Sequence, residues 1–209
     1  MRQIKAICRA ELSQLFFSPI AWIIIVIFTF QAYQTFTDSI SSLADDLELF
    51  GGTSNITYSI FSRIGGFWSV IRSNLYMFIP LLTMGLMSRD MGNGAIKLLY
   101  SSPVSSLQII LGKYLSMIVL SLIMTALTLP AIVFTACHVP DTDYGLIFSG
   151  MAGQLLLFWA YSAIGMLMSC LTSYQIVAAI LTLVTLGFLN KLAGMGQDIA
   201  IIRDLTYWA

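Results

Sequence analysis

Five long apolar stretches constrain this chain more than any other feature of its sequence. Hydrophobic residues make up 58% of its 209 residues and charged residues only 10%, whereas charged residues form about a quarter of an ordinary globular domain. A helix needs about 20 apolar residues to cross the hydrocarbon core of a bilayer. The sequence therefore predicts an all-α polytopic membrane helix bundle with five spans. They are expected at about 19–36, 67–87, 107–136, 146–171 and 176–189, the last being short for a full crossing.

Residues at the helix ends agree with these limits. Ser18 followed by Pro19 is typical of a helix start, because the missing N–H of proline is not needed at the first helical position. Ser105 with Gln108 three residues later predicts a capping box that opens the third span. Pro130 lies inside that span and should kink it, because proline removes one backbone hydrogen bond.

The segment before the first span predicts an amphipathic helix. Ile4, Ile7 and Leu15 share one face, so we expect an elbow helix over residues 1–18 that lies along the membrane surface, followed by a transmembrane domain over 19–209. Glu11 falls within the apolar face, where a bare carboxylate is costly unless it is paired or hydrogen-bonded. Either it reaches the backbone or water at the interface, or it pairs with Arg89 or Lys97 and ties the elbow to the next loop.

A polar loop at 88–105 separates the second and third spans. Ile96 and Leu99 lie at helical spacing and Pro103 ends the segment, which favours a small amphipathic helix outside the bilayer. Such a loop offers a soluble partner a surface through which it can apply force to the membrane-spanning helices.

The basic residues indicate the orientation. With the N-terminus inside, most of them fall on the inner side, while the outer loop after the first span is acidic from Asp38 to Glu48, as the positive-inside rule requires. Lys113 lies near the inner end of the third span and is expected to snorkel to the interface. Arg72, at the outer end of the second span, either snorkels or faces an outward cavity.

Several classes of protein are excluded. Ten basic and ten acidic residues cancel, so no nucleic-acid footprint is indicated. The chain has neither a P-loop motif nor a His-Glu-x-x-His motif, and its three cysteines are scattered. We therefore expect no catalytic residue, no metal site and no cofactor. Ion-driven carriers usually need a carboxylate within a span, and none of the predicted spans has one, so energy for transport would come from another subunit.

The residues of the elbow and loop resemble those of a known family. An elbow helix with an acidic residue followed by Ser18-Pro19 is similar to the start of ABC-2 type permease subunits. The stretch 94–105, followed by Gly112-Lys113, looks like the inner coupling segment of that family. The sequence as a whole is most similar to the gliding-motility-associated branch of the family in Bacteroidetes-type bacteria. The chain departs from the family at Ala95 and Lys97, where threonine and an acidic residue are common. The sixth span of the family is absent, which favours a fragment.

The resemblance implies the function. The chain would be the permease subunit of an ATP-driven exporter in the bacterial inner membrane, not itself an enzyme, with a separate cytoplasmic ABC ATPase and a second permease subunit that forms a homo- or heterodimer. Coupling to the ATPase is carried over to residues of the inner loop: Arg89, Gly94, Ile96, Lys97, Leu98, Leu99 and Pro103. Glu11 of the elbow would move with them.

Two other functions remain open at this point. The chain could be an ABC-type transmitter that remodels an outer or periplasmic partner without moving a solute, or a passive membrane scaffold. A scaffold need not hold an ATPase, whereas an exporter and a transmitter both require one.

Overall fold

A computed structural model describes residues 2–50, 56–62, 65–95, 105–139 and 142–198. These residues form helices joined by short connections, and no strand is present among them. The helices are α1 (Arg2–Phe17), α2 (Pro19–Phe50), α3 (Ile56–Phe61), α4 (Phe67–Thr83), α5 (Ser88–Gly92), α6 (Ser106–Ala126), α7 (Leu129–His138), α8 (Tyr144–Cys170) and α9 (Gln175–Asp198).

Five helical segments of the described chain are long and apolar enough to cross a membrane. Their bounds are Pro19–Ala44, Phe67–Gly92, Ser106–His138, Tyr144–Cys170 and Gln175–Leu192. The predicted all-α polytopic membrane bundle is therefore confirmed. The fifth span is longer than the 176–189 expected from its apolar run, because the helix continues past Leu189 into polar residues.

The first span differs most from its predicted limits. The sequence indicated a loop after residue 36, whereas α2 continues without a break to Phe50. Serine and threonine hydroxyls along this part of α2 bond back to carbonyl groups of the preceding turn, as Thr35 Oγ1 does to Gln31 O at 2.8 Å and Ser39 Oγ to Thr35 O at 2.8 Å. These hydroxyls are satisfied within the helix, so polarity alone did not end it.

The bundle has two distinct ends. At the α1 end, α1 packs along the first half of α6, and α5 and the start of α9 lie close by. At the α3 end, α3 contacts α4 and α8, and the backbone N–H of Asp143 donates to Thr57 Oγ1 at 3.2 Å. α4 and α8 run in parallel from the α3 end to the α1 end, since Gly150 lies against Trp68 and Gly165 against Thr83.

Two of the spans are interrupted. α6 ends at Ala126 and α7 begins at Leu129, with Pro130 in its first turn, so the kink predicted at this proline is a break between two helices. The capping box predicted at the start of α6 is present: the Ser105 side chain accepts from the Gln108 N–H, and the Gln108 side chain accepts from the Ser105 N–H. The second interruption, between α4 and α5, lies at the candidate site.

A cluster of aromatic rings fills the bundle near the α3 end. The Phe36 ring lies 6.1 Å from that of Phe67 and 6.0 Å from that of Phe134, both edge-on, and Phe61 and Phe67 are fully buried. These contacts join α2, α3, α4 and α7 through apolar packing. The two ends of the bundle differ more in their buried polar groups than in this apolar packing.

Candidate coupling site at the α1 end

A buried lysine joins three segments of the chain. Lys113, in α6, is only 2% exposed, and its Nζ lies 2.9 Å from Glu11 Oε2 of α1 and 2.8 Å from Asp90 Oδ2 of α5. The same ammonium group donates to the carbonyl of Leu86. Its three N–H groups thus have three acceptors, which is what a buried ammonium requires.

Arg89 completes a group that we call the Lys113 cluster: Glu11, Arg89, Asp90 and Lys113. One guanidinium nitrogen of Arg89 lies 3.0 Å from Glu11 Oε1 and also donates to Gln14 Oε1. The Arg89 side chain is 27% exposed, whereas that of Glu11 is only 7% exposed. Two carboxylates and two cations balance in charge, so burial leaves no net charge uncompensated.

Gly112 brings α1 close enough for this cluster to form. A Cβ atom at this position would lie 2.8 Å from Cβ and Cγ2 of Ile7 and 3.3 Å from the backbone oxygen of Ile4. Only glycine therefore allows the two helices to pack at this distance. Because Gly112 directly precedes Lys113, this close approach places the ammonium beside the carboxylate of Glu11.

Ser169 holds the break between α4 and α5. This residue of α8 is fully buried, and its Oγ accepts from the backbone N–H groups of Met87 at 3.1 Å and Ser88 at 3.0 Å and donates to Met84 O at 3.0 Å. The hydroxyl thus satisfies backbone groups that the interruption leaves without helical partners. α5 and its two cluster residues are thereby fixed to α8.

The structure answers some of the sequence predictions about this region. Of the alternatives left open for Glu11, the pair with Arg89 is present. The prediction that Lys113 snorkels to the interface is wrong, because its ammonium group is buried among acceptors from three segments. The role of Ser169 was missed, because a serine four residues after a glycine in an apolar helix is also typical of plain close packing between helices.

The predicted coupling loop at 88–105 is described only in part. α5 ends at Gly92, and Gly94 has a φ of +70°, a backbone conformation that glycine adopts without strain. A Cβ at Gly92 would lie 2.9 Å from the backbone oxygen of Ser173, so this end of α5 packs against the connection between α8 and α9. The remaining predicted coupling residues lie outside the described residues: Ile96, Lys97, Leu98, Leu99 and Pro103.

Within the described ranges, no group of three or more His, Cys, Asp or Glu residues could hold a metal ion. The single histidine, His138, stacks on Phe134 with ring centroids 4.2 Å apart, and its Nδ1 lies 2.9 Å from the carbonyl of the same residue. The Lys113 cluster itself consists of paired charges without an open position. Its geometry suits a mechanical junction between α1, α5 and α6.

The bundle of five long apolar helices that the structure describes places this chain in the class of multi-pass membrane proteins. Comparison with known families narrows the class. Residues 5–201 match the family model described as ABC-2 family transporter protein, and the chain belongs to that family. No curated protein and no solved structure matches it. The family supplies the membrane-embedded permease component of ABC-type systems.

Proposed function

We propose that this chain is the permease subunit of an ATP-driven ABC-2 type exporter, in which a separate cytoplasmic ATPase drives substrate across a bacterial inner membrane. One observation carries the proposal: a buried, fully paired lysine connects the amphipathic α1 to α5 and α6. A force applied to α5 or to the loop after it would reach α1 and α6 through short ionic contacts. We assign this loop, with Arg89, Gly94, Ile96, Lys97, Leu98, Leu99 and Pro103, to the contact with the ATPase.

Burial makes this junction suited to transmit force. In a low-dielectric environment, moving one partner away leaves a charge unpaired, which costs several kcal/mol. α1, α5 and α6 are therefore expected to move together when the ATPase closes. By analogy with the family, a second permease subunit, identical or different, would complete the complex, and the α1 end would face the cytoplasm.

Co-purification tests the proposal. The tagged full chain, purified in mild detergent from its native host, should retain a P-loop ATPase and change the rate at which that ATPase hydrolyses ATP. Glu11→Gln should keep the complex but remove most of the effect on hydrolysis, because the junction loses a charge. Arg9→Gln is the matched control, since Arg9 lies exposed on the same helix. A complex that never contains an ATPase would overturn the proposal.

Cysteine labelling tests the orientation. Ser173 lies exposed in the connection at the α1 end, whereas Cys137 lies exposed in the last turn of α7 at the opposite end. In a chain with one cysteine at a time, a membrane-impermeant maleimide should label Cys137 in intact cells and the Ser173→Cys variant only after permeabilisation. The reverse pattern would place the predicted coupling loop outside the cell and contradict the proposal.

A transmitter that acts on an outer partner is the second candidate, and the length of α2 favours it. Its 32 residues span about 48 Å at 1.5 Å per residue, against about 30 Å for the hydrocarbon core. The helix therefore extends beyond the membrane at the α3 end, with an acidic segment at 38–48. Replacing the four acidic residues of that segment by amides distinguishes the two candidates. If the chain is an exporter, export should stay intact; if it is a transmitter, capture of the outer partner should be abolished.

A further inference from the structure

A cavity of about 500 Å³ opens between α3, α4 and α8 near the α3 end. Its volume lies within the range of about 300–1,000 Å³ that is typical of small-molecule sites. Phe61, Leu146 and Leu157 form apolar parts of its wall, and Arg72, Trp68 and Gln154 add polar groups. The cavity lies at the opposite end of the bundle from the Lys113 cluster.

Two buried polar atoms on this wall have no hydrogen-bond partner among the described residues: Trp68 Nε1, a donor, and Gln154 Oε1, an acceptor. Gln154 is only 8% exposed. Leaving a buried donor or acceptor unsatisfied lowers stability, and buried polar side chains in folded proteins are normally paired. Gln31 Oε1 is also buried without a partner in the described part of the chain, but only Trp68 and Gln154 line the cavity. Their side chains need only turn toward the cavity to bond a ligand that supplies both an acceptor and a donor.

Arg72 adds a positive charge to the same wall. It forms no ion pair with any of the residues that the structure describes, in contrast to Arg89 at the other end. The guanidinium group carries five N–H donors and matches the geometry of phosphate and carboxylate groups. The charge therefore favours an anionic ligand.

Two glycines of α8 provide the space. A Cβ at Gly150 would overlap the indole of Trp68, so the lack of a side chain at this position lets the ring pack directly against α8. A Cβ at Gly153 would meet nothing within 4 Å, and Gly153 lines the cavity. A larger side chain at 153 would consequently fill the cavity without displacing the protein around it.

We infer that this cavity binds an anionic amphiphile: a phosphate or carboxylate held by Arg72 and Trp68 Nε1, a neighbouring hydroxyl that donates to Gln154 Oε1, and an apolar part against Leu146 and Leu157. The chemistry is shared by the head group of a hydroxylated anionic phospholipid and by a soluble hydroxylated phosphate. The site does not depend on the proposed coupling to an ATPase.

Binding to the full chain in a neutral detergent tests this inference, with native mass spectrometry or a shift in thermal unfolding as the readout. The probes are dioleoylphosphatidylglycerol, dioleoylphosphatidylcholine and glycerol 3-phosphate. The glycerol head group should bind at least tenfold more tightly than the choline head group. Both lipids carry the phosphate, but choline has no hydroxyl to donate to Gln154 and its quaternary ammonium repels the guanidinium of Arg72. If the soluble phosphate competes with the lipid, the head group is sufficient; if it does not, the acyl chains are required and the source is the bilayer.

Three variants locate the binding. Arg72→Gln should weaken phosphatidylglycerol binding about tenfold by loss of a charged hydrogen bond, and Gly153→Leu should do the same by filling the cavity. Lys191→Gln is the matched control, because Lys191 is exposed on α9, and it should leave binding unchanged. Equal binding of the two lipids, unchanged binding to Arg72→Gln, or an equal loss in Lys191→Gln would each overturn the inference. If Gly153→Leu does not fold, the comparison of Arg72→Gln with Lys191→Gln still decides.

Discussion

The two ends of the bundle treat buried polar groups in opposite ways. At the α1 end, the ammonium of Lys113 has three acceptors and Ser169 satisfies two backbone N–H groups. At the α3 end, Trp68 Nε1 and Gln154 Oε1 are buried without a hydrogen-bond partner in the described part of the chain, beside an exposed Arg72 that forms no ion pair there. One end is closed and complete by itself, and the other has the polar groups of a site that takes a ligand.

This difference predicts how the two ends of the bundle respond to substitution. A satisfied ionic junction keeps one geometry, because any displacement leaves a charge or a backbone group without a partner. A cavity with unsatisfied groups costs stability, which a bound ligand can recover. We therefore expect substitutions of polar groups to be damaging at the α1 end and tolerated or stabilising at the α3 end.

The largest effect is expected for Lys113→Met. Removing the ammonium leaves the buried carboxylate of Glu11 and the half-buried carboxylate of Asp90 without their common partner, which should lower the free energy of unfolding by about 3–5 kcal/mol. Titration of the purified chain from a mild detergent into a denaturing one measures the change. Lys191→Met, at an exposed position on α9, should change it by less than about 0.5 kcal/mol. Equal effects at the two lysines would remove the contrast.

Gly112→Val should produce the next largest effect. The added side chain collides with Ile7 of α1, and overpacking of this kind typically costs about 1–3 kcal/mol. The same detergent titration measures it, and the effect should not add to that of Glu11→Gln, because both changes separate α1 from α6. Gly187→Ala on α9 is the control, since a Cβ there meets nothing within 4 Å. Full additivity would show that Gly112 does not act through the cluster.

A pair of polar-to-apolar substitutions tests the difference between the ends by its sign. Ser169→Ala leaves the N–H groups of Met87 and Ser88 unsatisfied and should destabilise the protein by about 1–3 kcal/mol. Gln154→Leu removes an unpaired acceptor and should be neutral or stabilise the ligand-free protein by about 1 kcal/mol. Unfolding of both variants in a lipid-free neutral detergent gives the two values. Destabilisation of similar size by both would contradict the difference in satisfaction.

A double-mutant cycle on Glu11 and Arg89 should give a coupling energy of about 1 kcal/mol. The pair is only 3.0 Å apart, but Arg89 is partly exposed, so water reduces the interaction below that of a buried pair. The variants Glu11→Gln, Arg89→Gln and their combination supply the cycle, with unfolding free energy as the readout. A coupling energy of zero would mean that Lys113, and not Arg89, provides the ionic stabilisation of Glu11.

Much of the α1 end could be predicted from local pattern. Helical periodicity placed Glu11 on the apolar face of α1, and that position left two alternatives, a hydrogen bond at the interface or a cationic partner from the next loop. Lys113 was harder, because a lysine near the end of a span usually reaches the interface. Its actual partners come from α1, from α5 and from the backbone at Leu86, segments that are distant in the chain. Only the fold brings them together.

The α3 end was less accessible to sequence reasoning. Arg72 indicated either a snorkelling cation or a cavity, and nothing in the pattern of α8 told Gly153, which faces open space, from Gly165, which packs on Thr83. The same kind of ambiguity affected α2, where polar residues after position 36 indicated a loop. Hydroxyls in this part of α2 bond to carbonyl groups of the same helix, so the polarity of these residues did not mark the end of the helix.

The smallest effect concerns thiol reactivity at the two ends. Cys8 is buried in α1, and burial raises the pKa of its thiol above the ordinary value, whereas Cys137 is exposed. Because the thiolate is the reactive form, a raised pKa lowers the reactive fraction at pH 7–8. In chains that retain one cysteine at a time, a soluble disulfide reagent should therefore modify Cys8 more slowly than Cys137, and the rate at Cys8 should reach half its plateau at a higher pH. Denatured chains should show equal rates and serve as the reference. Equal rates in the folded chains would mean that α1 leaves α6 readily, and the junction at Lys113 would then be too loose to transmit force.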